Sequence, residues 1–363
     1  MSGIIRVLHI SPDFNYSCGV STHVYLLLKN FVNDKSYKVF FITNGGDALD
    51  KLDKINLTPE IVKFEKGFRN IFYLYSNLQT IRKYCVRNKI DIIHTHHRYP
   101  EFLASLISKK TGARTITTVE SLVKGRTRLS FKSDKIIAVS NSVKELLINH
   151  YNVPQEKITM LNNFIEPPDM NGRNLGLNIK SSLQIPMENK VILFLGRITK
   201  IKGVDLLIEA FKLVRNKNEK VTLVIVGQVY DNSMKSSLKE LPDGIIVLNV
   251  VKDPIPYYEI ADLVVLPSRI EPFPYVMLEA GMMQKPFIGA RTGGIAEFIE
   301  DGVNGLLFEP ESVDQLVTKI ESLLKSDKNS KILSKNLYNK VIDNCSIKKY
   351  YSNLDKIYNE LLG

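Results

Sequence analysis

The stretch VILFLGRITKIKG, residues 191–203, begins with five apolar residues and becomes polar and basic from Gly196 onward. A short apolar run rich in branched residues is typical of a strand that is buried on both faces. The residues after Gly203 have apolar side chains at helical spacing, which predicts a helix. Strand, turn and helix in this order are the unit of a parallel sheet covered by helices. The stretch therefore predicts an α/β fold and places basic side chains at the carboxyl end of a strand.

The same alternation of short branched runs and longer amphipathic segments extends along the chain on both sides of this stretch. The predicted strands are Ile4–Ile10, Lys38–Thr43, Asp91–Thr95, Thr115–Val119, Lys135–Val139 and Ile158–Leu161, then Val191–Leu195, Val221–Val226, Ile245–Leu248, Leu263–Leu266, Pro286–Ala290 and Gly305–Phe308. The predicted helices of the first half are His23–Val32, Tyr73–Asn88, Glu101–Lys110 and Ser142–Tyr151. Each half of the chain therefore predicts one Rossmann-like domain.

The chain of 363 residues is long enough for two domains of ordinary size. Residues 168–188 are rich in Pro, Asn, Gly and Ser and follow neither period, which is typical of a linker. We therefore expect a first domain over residues 1–168 and a second over 188–346. The segment 347–363 has apolar residues at helical spacing and predicts a helix that packs on one of them. Ligands of such folds bind at the carboxyl ends of the strands.

Composition excludes several classes of protein. With 44% hydrophobic and 24% charged residues, the chain resembles soluble globular proteins rather than disordered ones. Its three cysteines are an odd number without metal-ligand spacing, so we expect no disulfide framework, no zinc site and a reducing cytosol. No stretch approaches the roughly 18 apolar residues of a membrane span, and the N-terminus lacks the pattern of a secretion signal. We expect a cytoplasmic protein.

The net charge of +11 is concentrated in the first half, where residues 1–170 hold 24 Lys and Arg against 15 Asp and Glu. An anionic partner or a merely solubilised surface explains this excess equally well. The chain has no helix-turn-helix pattern, no RNP-like aromatic strand and no continuous basic stripe, so we do not expect it to bind nucleic acid.

Arg197 and Lys202 follow the predicted strand Val191–Leu195 and are candidates for binding a diphosphate. Arginine offers a planar fork to paired oxygens and lysine a mobile point charge, a combination that holds and neutralises such a group. The alternative is a solvated basic turn before a helix.

The stretch RIEPFPYVMLEAG, residues 269–281, places Glu271 and Glu279 eight positions apart in an apolar context. Pro274 suits the first turn of a helix from Tyr275 to about Met283, so Glu271 precedes that helix and Glu279 lies inside it. Carboxylates accept hydrogen bonds from sugar hydroxyls, and the free N–H groups of a helix start bind phosphate. Both glutamates are therefore candidate contacts for a phosphorylated, polyhydroxylated ligand. The alternative is a helix cap and a surface glutamate.

In the first half, Gly19 lies between a predicted strand and a predicted helix, but one glycine is not the GxGxxG dinucleotide motif. The sequence therefore does not favour NAD binding. His94 and His96 end another strand, and alternation places both on the same face. We expect no metal there, because the sequence has no third ligand at a spacing typical of metal sites.

These motifs together resemble the retaining GT-B glycosyltransferases of family 4, the "glycosyl transferases group 1" enzymes. The matching residues are Gly196-Arg197, Lys202-Gly203, the Glu271 and Glu279 pair, Thr292-Gly293-Gly294 with Glu297, and Asp301 to Gly305; in the first half they are Gly19, His23-Val24, Asp91 to His96, Ile137 to Ser140, and Ile158 to Glu166. The resemblance implies two Rossmann-like domains facing each other across a central cleft, with helix 347–363 packed back on the first domain. It also implies a nucleotide-sugar donor on the second domain and an acceptor on the first.

The resemblance implies roles for individual residues as well. Arg197 and Lys202 are implied to clamp the diphosphate, and Glu271 and His96 to lie beside the transferred sugar. The donor-binding residues implied are Gly19, Arg197, Lys202, Val251, Glu271, Phe273, Pro274, Tyr275, Val276 and Glu279, with Glu279 on the ribose and Val251 near the base. No metal or other cofactor is implied. Pro274 replaces a common glycine, and Glu120 stands where many relatives have histidine.

The reaction implied is transfer of a hexose or N-acetylhexosamine from a nucleotide-sugar, most often a UDP-sugar, to a glycan or undecaprenyl-linked acceptor. Bacterial surface polysaccharide synthesis is the expected setting. A sugar-nucleotide enzyme of another class, a 2-epimerase or a sugar-phosphate synthase, stays open as an alternative.

The basic segment 66–89 predicts a helix whose apolar stripe, from Ile71 to Cys85, faces the core. Phe68, Phe72 and Tyr73 lie off that stripe. Together with the nearby Arg and Lys residues they predict contact with an anionic bilayer, on the inner face of the cell membrane.

Overall fold

The computed structural model describes residues 3–65, 70–125, 127–168, 176–231, 234, 235, 238 and 240–363. The chain divides into two compact units, one of Met1–Asn163 with Lys348–Gly363 and one of Phe164–Ile347. Each unit is built on a sheet of parallel strands, as expected of an α/β fold.

The first unit has a seven-stranded sheet in the order β3-β2-β1-β4-β5-β6-β7. Its strands are β1 Ile5–Ile10, β2 Tyr37–Thr43, β3 Glu60–Ile61, β4 Ile92–Thr95, β5 Arg114–Val119, β6 Lys135–Ala138 and β7 Ile158–Met160. Its first five helices are α1 Gly19–Val32, α2 Asp50–Asp53, α3 Asn70–Asn88, α4 Arg98–Thr111 and α5 Asn141–Asn149. Strand β1 lies at the sheet interior, paired with β2 and β4. The order reverses at β1, which is the position where open parallel sheets bind ligands.

The second unit has a six-stranded sheet in the order β10-β9-β8-β11-β12-β13. Its strands are β8 Lys190–Leu195, β9 Val221–Val226, β10 Ile245–Leu248, β11 Leu263–Leu266, β12 Phe287–Ala290 and β13 Leu306–Phe308. Its helices are α6 Gly176–Ser182, α7 Val204–Lys217, α8 Ile255–Ile260, α9 Tyr275–Met282, α10 Gly293–Phe298, α11 Val313–Lys325 and α12 Asp327–Cys345. Here β8 and β11 are neighbours, so their carboxyl ends lie side by side.

The chain ends in helix α13, Ile347–Leu362, which packs on the first unit. Its buried residues, at helical spacing, are Tyr350, Leu354, Ile357, Tyr358 and Leu361. The Tyr358 hydroxyl lies 2.7 Å from Nδ1 of His94, and the Tyr351 hydroxyl donates to Asp34 at 2.9 Å. The helix is therefore attached to this unit by polar contacts as well as by apolar burial.

The fold predicted from the sequence is confirmed: every predicted strand is present, with ends within one residue of those expected. The prediction missed β3, whose two residues pair with Ile42 and Thr43. Two residues carry no periodic signal, so only the tertiary structure reveals this strand.

Two helix starts differ from the prediction. The sequence predicts a helix start near Ile295, after the glycine pair, whereas helix α10 begins at Gly293, whose backbone has φ +44°. Pro274 is the N-cap of α9, with extended backbone, rather than a residue of its first turn. Both differences shift a loop boundary at the carboxyl end of the second sheet.

Over the described ranges, no helix combines the length and the apolarity that crossing a membrane requires.

Candidate functional site

The loop after β8 is shaped by glycines. Gly196 has φ +143° and Gly203 has φ +70°, conformations that residues with a side chain rarely adopt. A Cβ at Gly203 would lie 2.0 Å from the carbonyl oxygen of Pro267, and one at Gly227 would lie 1.8 Å from that of Gly196. The loop is therefore pressed against the backbone of its neighbours, and the 3₁₀ turn Lys200–Lys202 has a fixed position.

The two predicted diphosphate ligands differ in their surroundings. The Lys202 ammonium lies 2.5 Å from Oε2 of Glu271, and the two side chains are only 17% and 5% exposed. Arg197 is exposed, and its guanidinium has no hydrogen-bond or ion-pair partner among the described residues. One cation is thus neutralised by a buried carboxylate, while the other is open to an anion.

Glu271 is held by its backbone as well as by its side chain. Its carbonyl accepts a hydrogen bond from the Gly294 amide at 2.9 Å. A Cβ on Gly294 would lie 2.1 Å from the carbonyl oxygen of Pro272, so glycine permits this approach of two loops. This close contact between two loops therefore depends on the missing side chain of Gly294.

The residues around the start of α9 are largely buried. Phe273, Pro274 and Tyr275 are buried, Phe273 against the ring of Phe298 at 5.4 Å between centroids, and Val276 is half-buried. The side chain of Phe273 therefore belongs to the core. The backbone N–H groups at the start of α9, an eight-residue helix, are donors suited to a phosphate oxygen.

Glu279 lies in α9 and accepts a hydrogen bond from the Tyr258 hydroxyl at 2.6 Å. Burial, and then the charge of Glu279, raise the pKa of Tyr258 well above its usual value, so this phenol stays a donor. Tyr258 comes from α8 and carries no sequence signal of this role. Val251 is half-buried in the segment that joins β10 to α8.

The second unit thus brings Arg197 and Lys202 to the end of β8 and Glu271 to the loop after β11, the neighbouring strand. The other two predicted site residues lie in the first unit. Gly19 is exposed at the first position of α1, and His96 is buried directly after β4.

His96 belongs to a cluster of buried histidines in the first unit. Its Nε2 lies 3.2 Å from Nδ1 of His9, and its ring stacks on His94 at 4.6 Å. The prediction that His94 and His96 share one face is confirmed. His94 is held on both sides, by Tyr358 at 2.7 Å and by Oγ1 of Thr118 at 2.8 Å.

His9 and His23 complete the cluster, and sequence reasoning missed this because they come from β1 and α1. Burial lowers the pKa of both to about 3, and it also lowers the pKa of His94 and His96. All four imidazoles are therefore neutral at pH 7. His9 Nε2 and His96 Nδ1 are buried without a hydrogen-bond partner in the described part of the chain.

Two sets of these side chains have ligand atoms within 4.8 Å of one another, His9 with His94 and His96, and His23 with His96 and Glu120. The ligands that complete each set come from other elements of the fold, so no spacing in the sequence indicates them. In the first set, a metal ion would have to displace Thr118 or Tyr358 from His94.

Glu120 follows β5 at the same edge of the sheet. Its Oε1 is buried without a hydrogen-bond partner among the described residues, and burial raises the pKa of its carboxyl to about 8. This side chain is therefore largely protonated at neutral pH.

Comparison with known proteins agrees with the fold. The family described as "Glycosyl transferases group 1" matches residues 177–340, and "Glycosyltransferase Family 4" matches residues 18–168. An uncharacterized glycosyltransferase of Methanocaldococcus jannaschii is 28% identical over 92% of each chain. The lipopolysaccharide 1,2-N-acetylglucosaminetransferase of Salmonella typhimurium is 26% identical over 91% of each chain. The crystal structure of Anabaena HepE in complex with UDP-glucose has a TM-score of 0.84 at 16% identity and covers 98% of this chain and all of its own.

The fold and these matches define the class of protein: the chain is a glycosyltransferase with the GT-B fold. It belongs to family 4 of the glycosyltransferases, and it has homologues in polysaccharide and lipopolysaccharide synthesis.

The histidine cluster predicts how stability depends on pH. A buried histidine with a lowered pKa stays neutral in the folded state, whereas the unfolded chain takes up a proton below about pH 6.5. Each such histidine therefore destabilises the fold by up to about 1.4 kcal/mol per pH unit as the pH falls below that value. We expect His23→Gln to make the free energy of unfolding depend less steeply on pH, by about the contribution of one proton. Urea unfolding between about pH 5 and pH 6.5 measures this slope.

Asn30→Gln, which replaces a non-titrating residue of the same helix, is the control and should leave the slope unchanged. Glu120 acts in the opposite sense, because its raised pKa makes stability fall as the pH rises from about 4.5 to about 8. Comparing each variant with the parent at the same pH cancels this contribution. Equal slopes for His23→Gln and wild type would contradict the assignment.

Proposed function

We propose that the protein is a retaining glycosyltransferase that moves a hexose or N-acetylhexosamine from a UDP-sugar to a glycan or lipid-linked acceptor, in the synthesis of bacterial surface polysaccharide. The observation that carries the proposal is the Lys202–Glu271 pair beside the partner-free Arg197, at the carboxyl ends of β8 and β11. The Salmonella relative acts in lipopolysaccharide synthesis and the Anabaena neighbour binds UDP-glucose, which supports this class of donor and acceptor.

Departure of the diphosphate is the step that the second unit serves. When the bond between the anomeric carbon and the diphosphate oxygen breaks, negative charge grows on that oxygen. The Arg197 guanidinium, the Lys202 ammonium and the amides at the start of α9 are donors suited to this charge. The acceptor hydroxyl attacks on the face that the diphosphate leaves, and its proton passes to a diphosphate oxygen. The configuration at the anomeric carbon is thereby retained.

Two carboxylates serve donor recognition. Glu271 accepts hydroxyls of the transferred sugar and Glu279 accepts those of the ribose, while Val251 lies along the base. Each carboxylate is oriented by a donor from elsewhere in the fold, Glu271 by Lys202 and Glu279 by Tyr258. In the first unit, Gly19 permits close approach of the loop to the diphosphate, and the neutral His96 contacts the transferred sugar.

Charge neutralisation by these side chains leaves no step that needs a divalent ion, so we propose that the enzyme has no metal cofactor. The experiment that tests the function is a panel of nucleotide-sugars, assayed for enzyme-dependent release of nucleotide in excess EDTA. We expect turnover of a UDP-sugar, undiminished by the chelator. Loss of turnover in EDTA with recovery on adding a metal would show that an ion is required, for which the histidine sets are then the candidates.

The fate of the sugar separates this proposal from the alternatives. Transfer to water or to an added glycan supports a glycosyltransferase. Release of UDP with an epimerised free sugar supports the 2-epimerase, and a phosphorylated disaccharide formed from an added sugar phosphate supports the synthase.

Replacing Lys202 tests the role of the cation. We expect Lys202→Met to lower kcat for UDP-sugar hydrolysis by about 10²- to 10³-fold, since a charge-stabilising donor to the leaving group is lost. The measurement is nucleotide release at saturating donor, with circular dichroism to verify folding.

Lys200→Met is the matched control, because Lys200 is an exposed lysine in the same turn, and we expect wild-type turnover from it. Lys202→Met also leaves the buried Glu271 unpaired, so Lys202→Met with Glu271→Gln separates this charge effect from loss of the donor. Wild-type kcat in the single variant would rule out the assignment of Lys202.

We also propose that the enzyme binds the surface of an anionic membrane through α3. Phe72 and Tyr75 are 78% and 75% exposed, and Val86 is 61% exposed on the same face of this helix. Arg82, on that face, and Lys83 beside it are exposed cations. Amphipathic helices of this composition bind anionic bilayers. Phe68 and Arg69, also predicted for this contact, lie outside the described residues, and Tyr73 is half-buried beneath the Lys63 ammonium.

The opposite face of α3 packs on the core, as its stripe predicts. Leu74 and Leu78 pack against the buried cluster that contains Ile81 and Cys85. The exposed aromatic pair is therefore a separate surface of the same helix.

Vesicle flotation tests the membrane contact. We expect the protein to float with vesicles that contain an anionic lipid at low salt, and to float less when Phe72 and Tyr75 are both replaced by serine. Met187→Ser with Ile332→Ser removes two exposed apolar side chains of the second unit and is the control. Failure of the wild type to bind anionic vesicles at low salt would contradict the proposed membrane contact through α3.

A further inference from the structure

Arg269 uses all five of its N–H donors, one on the turn Lys200–Lys202, two on Asp205 at the start of α7 and two on Glu311. Its Nη1 donates to Oδ1 of Asp205 at 2.7 Å and to the carbonyl oxygen of Lys200. Nη2 donates to Oδ2 of Asp205 at 3.0 Å and to Oε2 of Glu311 at 2.8 Å, and Nε donates to Oε1 of Glu311 at 2.6 Å. Two carboxylates are thus each held in bidentate fashion, which fixes the geometry more than a single bond does.

The backbone of Arg269 makes two further links. Its amide donates to the carbonyl oxygen of Ile201 at 2.8 Å, and its carbonyl accepts from Oγ1 of Thr292 at 3.2 Å. Arg269 is therefore bonded to Lys200 and Ile201 on one loop and lies two residues before Glu271 on the other. Arg269 therefore links the turn that precedes Lys202 to the loop that carries Glu271.

Glu311 supplies independent support, because its backbone has φ +67°. A glutamate in the left-handed region is strained by about 1 kcal/mol or more relative to an ordinary conformation. The side chain of this strained residue is the one that completes the fork of Arg269. Strained residues of this kind persist where the surrounding contacts require one geometry.

We propose that Arg269 is a positioning residue for the transferase reaction, and that it holds Lys202 and Glu271 at the separation that the bound donor requires. Its guanidinium does not touch the donor in this role. It acts through the 3₁₀ turn Lys200–Lys202, which is also held by the side chain of Thr199, by the tight turn at Gly203 and by the Lys202–Glu271 pair itself. Displacement of a reacting or stabilising group by about 1 Å costs about 10²-fold in rate, so a turn released from Arg269 impairs the chemical step. This inference rests on the proposed function of Lys202.

Arg291 offers a matched control in the same unit. It also joins two carboxylates, Glu309 at 2.7 Å and Asp301 at 3.6 Å. Unlike Arg269, it is 43% exposed and contacts neither Lys202, nor Glu271, nor the turn at residues 200–203. Replacing it removes a cation and two ion pairs without releasing the turn.

The experiment compares Arg269→Met, Arg269→Lys and Arg291→Met with the wild type. We expect both Arg269 variants to lower kcat for UDP-sugar hydrolysis at least tenfold while KM changes less than threefold, and Arg291→Met to leave both constants unchanged. Lysine retains the charge but not the five-donor fork, so it should not rescue the rate. A role in stability alone predicts instead an unchanged kcat at a temperature where all variants are folded, and that result would overturn the proposal.

A second measurement does not depend on activity. Acetylation of Lys202 by an amine-reactive ester, followed by peptide mass spectrometry, reports how well its ammonium is covered. We expect Lys202 to react several-fold faster in Arg269→Met than in the wild type or in Arg291→Met. An equal rate in all three would overturn the proposal whether or not the protein turns over a nucleotide-sugar.

The two measurements keep the inference separate from the proposed function. A wild type that releases nucleotide from no UDP-sugar contradicts the function, whereas the labelling of Lys202 still decides whether Arg269 holds the turn. If Arg269→Met does not fold, Glu311→Gln removes one half of the fork from an exposed position and should give the same effects at smaller size.

Discussion

The contact between Lys202 and Glu271 joins two parts of the chain that are 69 residues apart. A carboxylate that is only 5% exposed is costly to bury unless a cation compensates it, and here the ammonium of Lys202 does so. The pair exists because β8 and β11 are neighbours in the sheet and end at the same edge. If the strand order were different, the two charges would be apart and the second unit would have no paired cation at its carboxyl edge. In the proposed reaction the diphosphate competes with Glu271 for Lys202, while Arg197 has no partner among the described residues.

The two units use opposite electrostatic designs at the carboxyl edges of their sheets. In the second unit Lys202 and Glu271 form an ion pair, whereas Arg197 has no partner among the described residues. In the first, burial keeps four histidines neutral and Glu120 largely protonated, so that the edge is polar but carries little charge. The positive excess of the first half of the chain therefore lies elsewhere, on exposed residues such as Arg82 and Lys83. The buried polar groups of this edge and the exposed cations of α3 therefore lie on different parts of the first unit.

Most of the fold could be predicted from the sequence, because buried parallel strands and amphipathic helices each leave a periodic pattern. Arg197, Lys202 and Glu271 could be singled out because they follow the ends of strands within recognisable motifs, and Glu279 because it lies eight positions after Glu271 in an apolar stretch. Tyr258, His9 and Arg269 could not be assigned their contacts in this way. Their partners come from other elements, and no spacing in the chain records which strands become neighbours. The conversion of Glu120 to a group with a pKa of about 8 is likewise a product of burial, which a single residue in the sequence does not show.

Sequence reasoning expected the two glutamates of the 269–281 stretch to be acceptors for sugar hydroxyls, and the structure gives each of them a fixed donor, Lys202 for Glu271 and Tyr258 for Glu279. These partners do not compete with the expected role, because an ionised carboxylate has about four lone-pair sites. A donor on one oxygen restricts the rotation of the whole group, so that less freedom is lost when a hydroxyl binds. The same reasoning applies one step further from the ligand. Lys202 can orient Glu271 only if the turn that carries it is itself fixed, and Arg269 bonds to that turn at the carbonyl oxygens of Lys200 and Ile201.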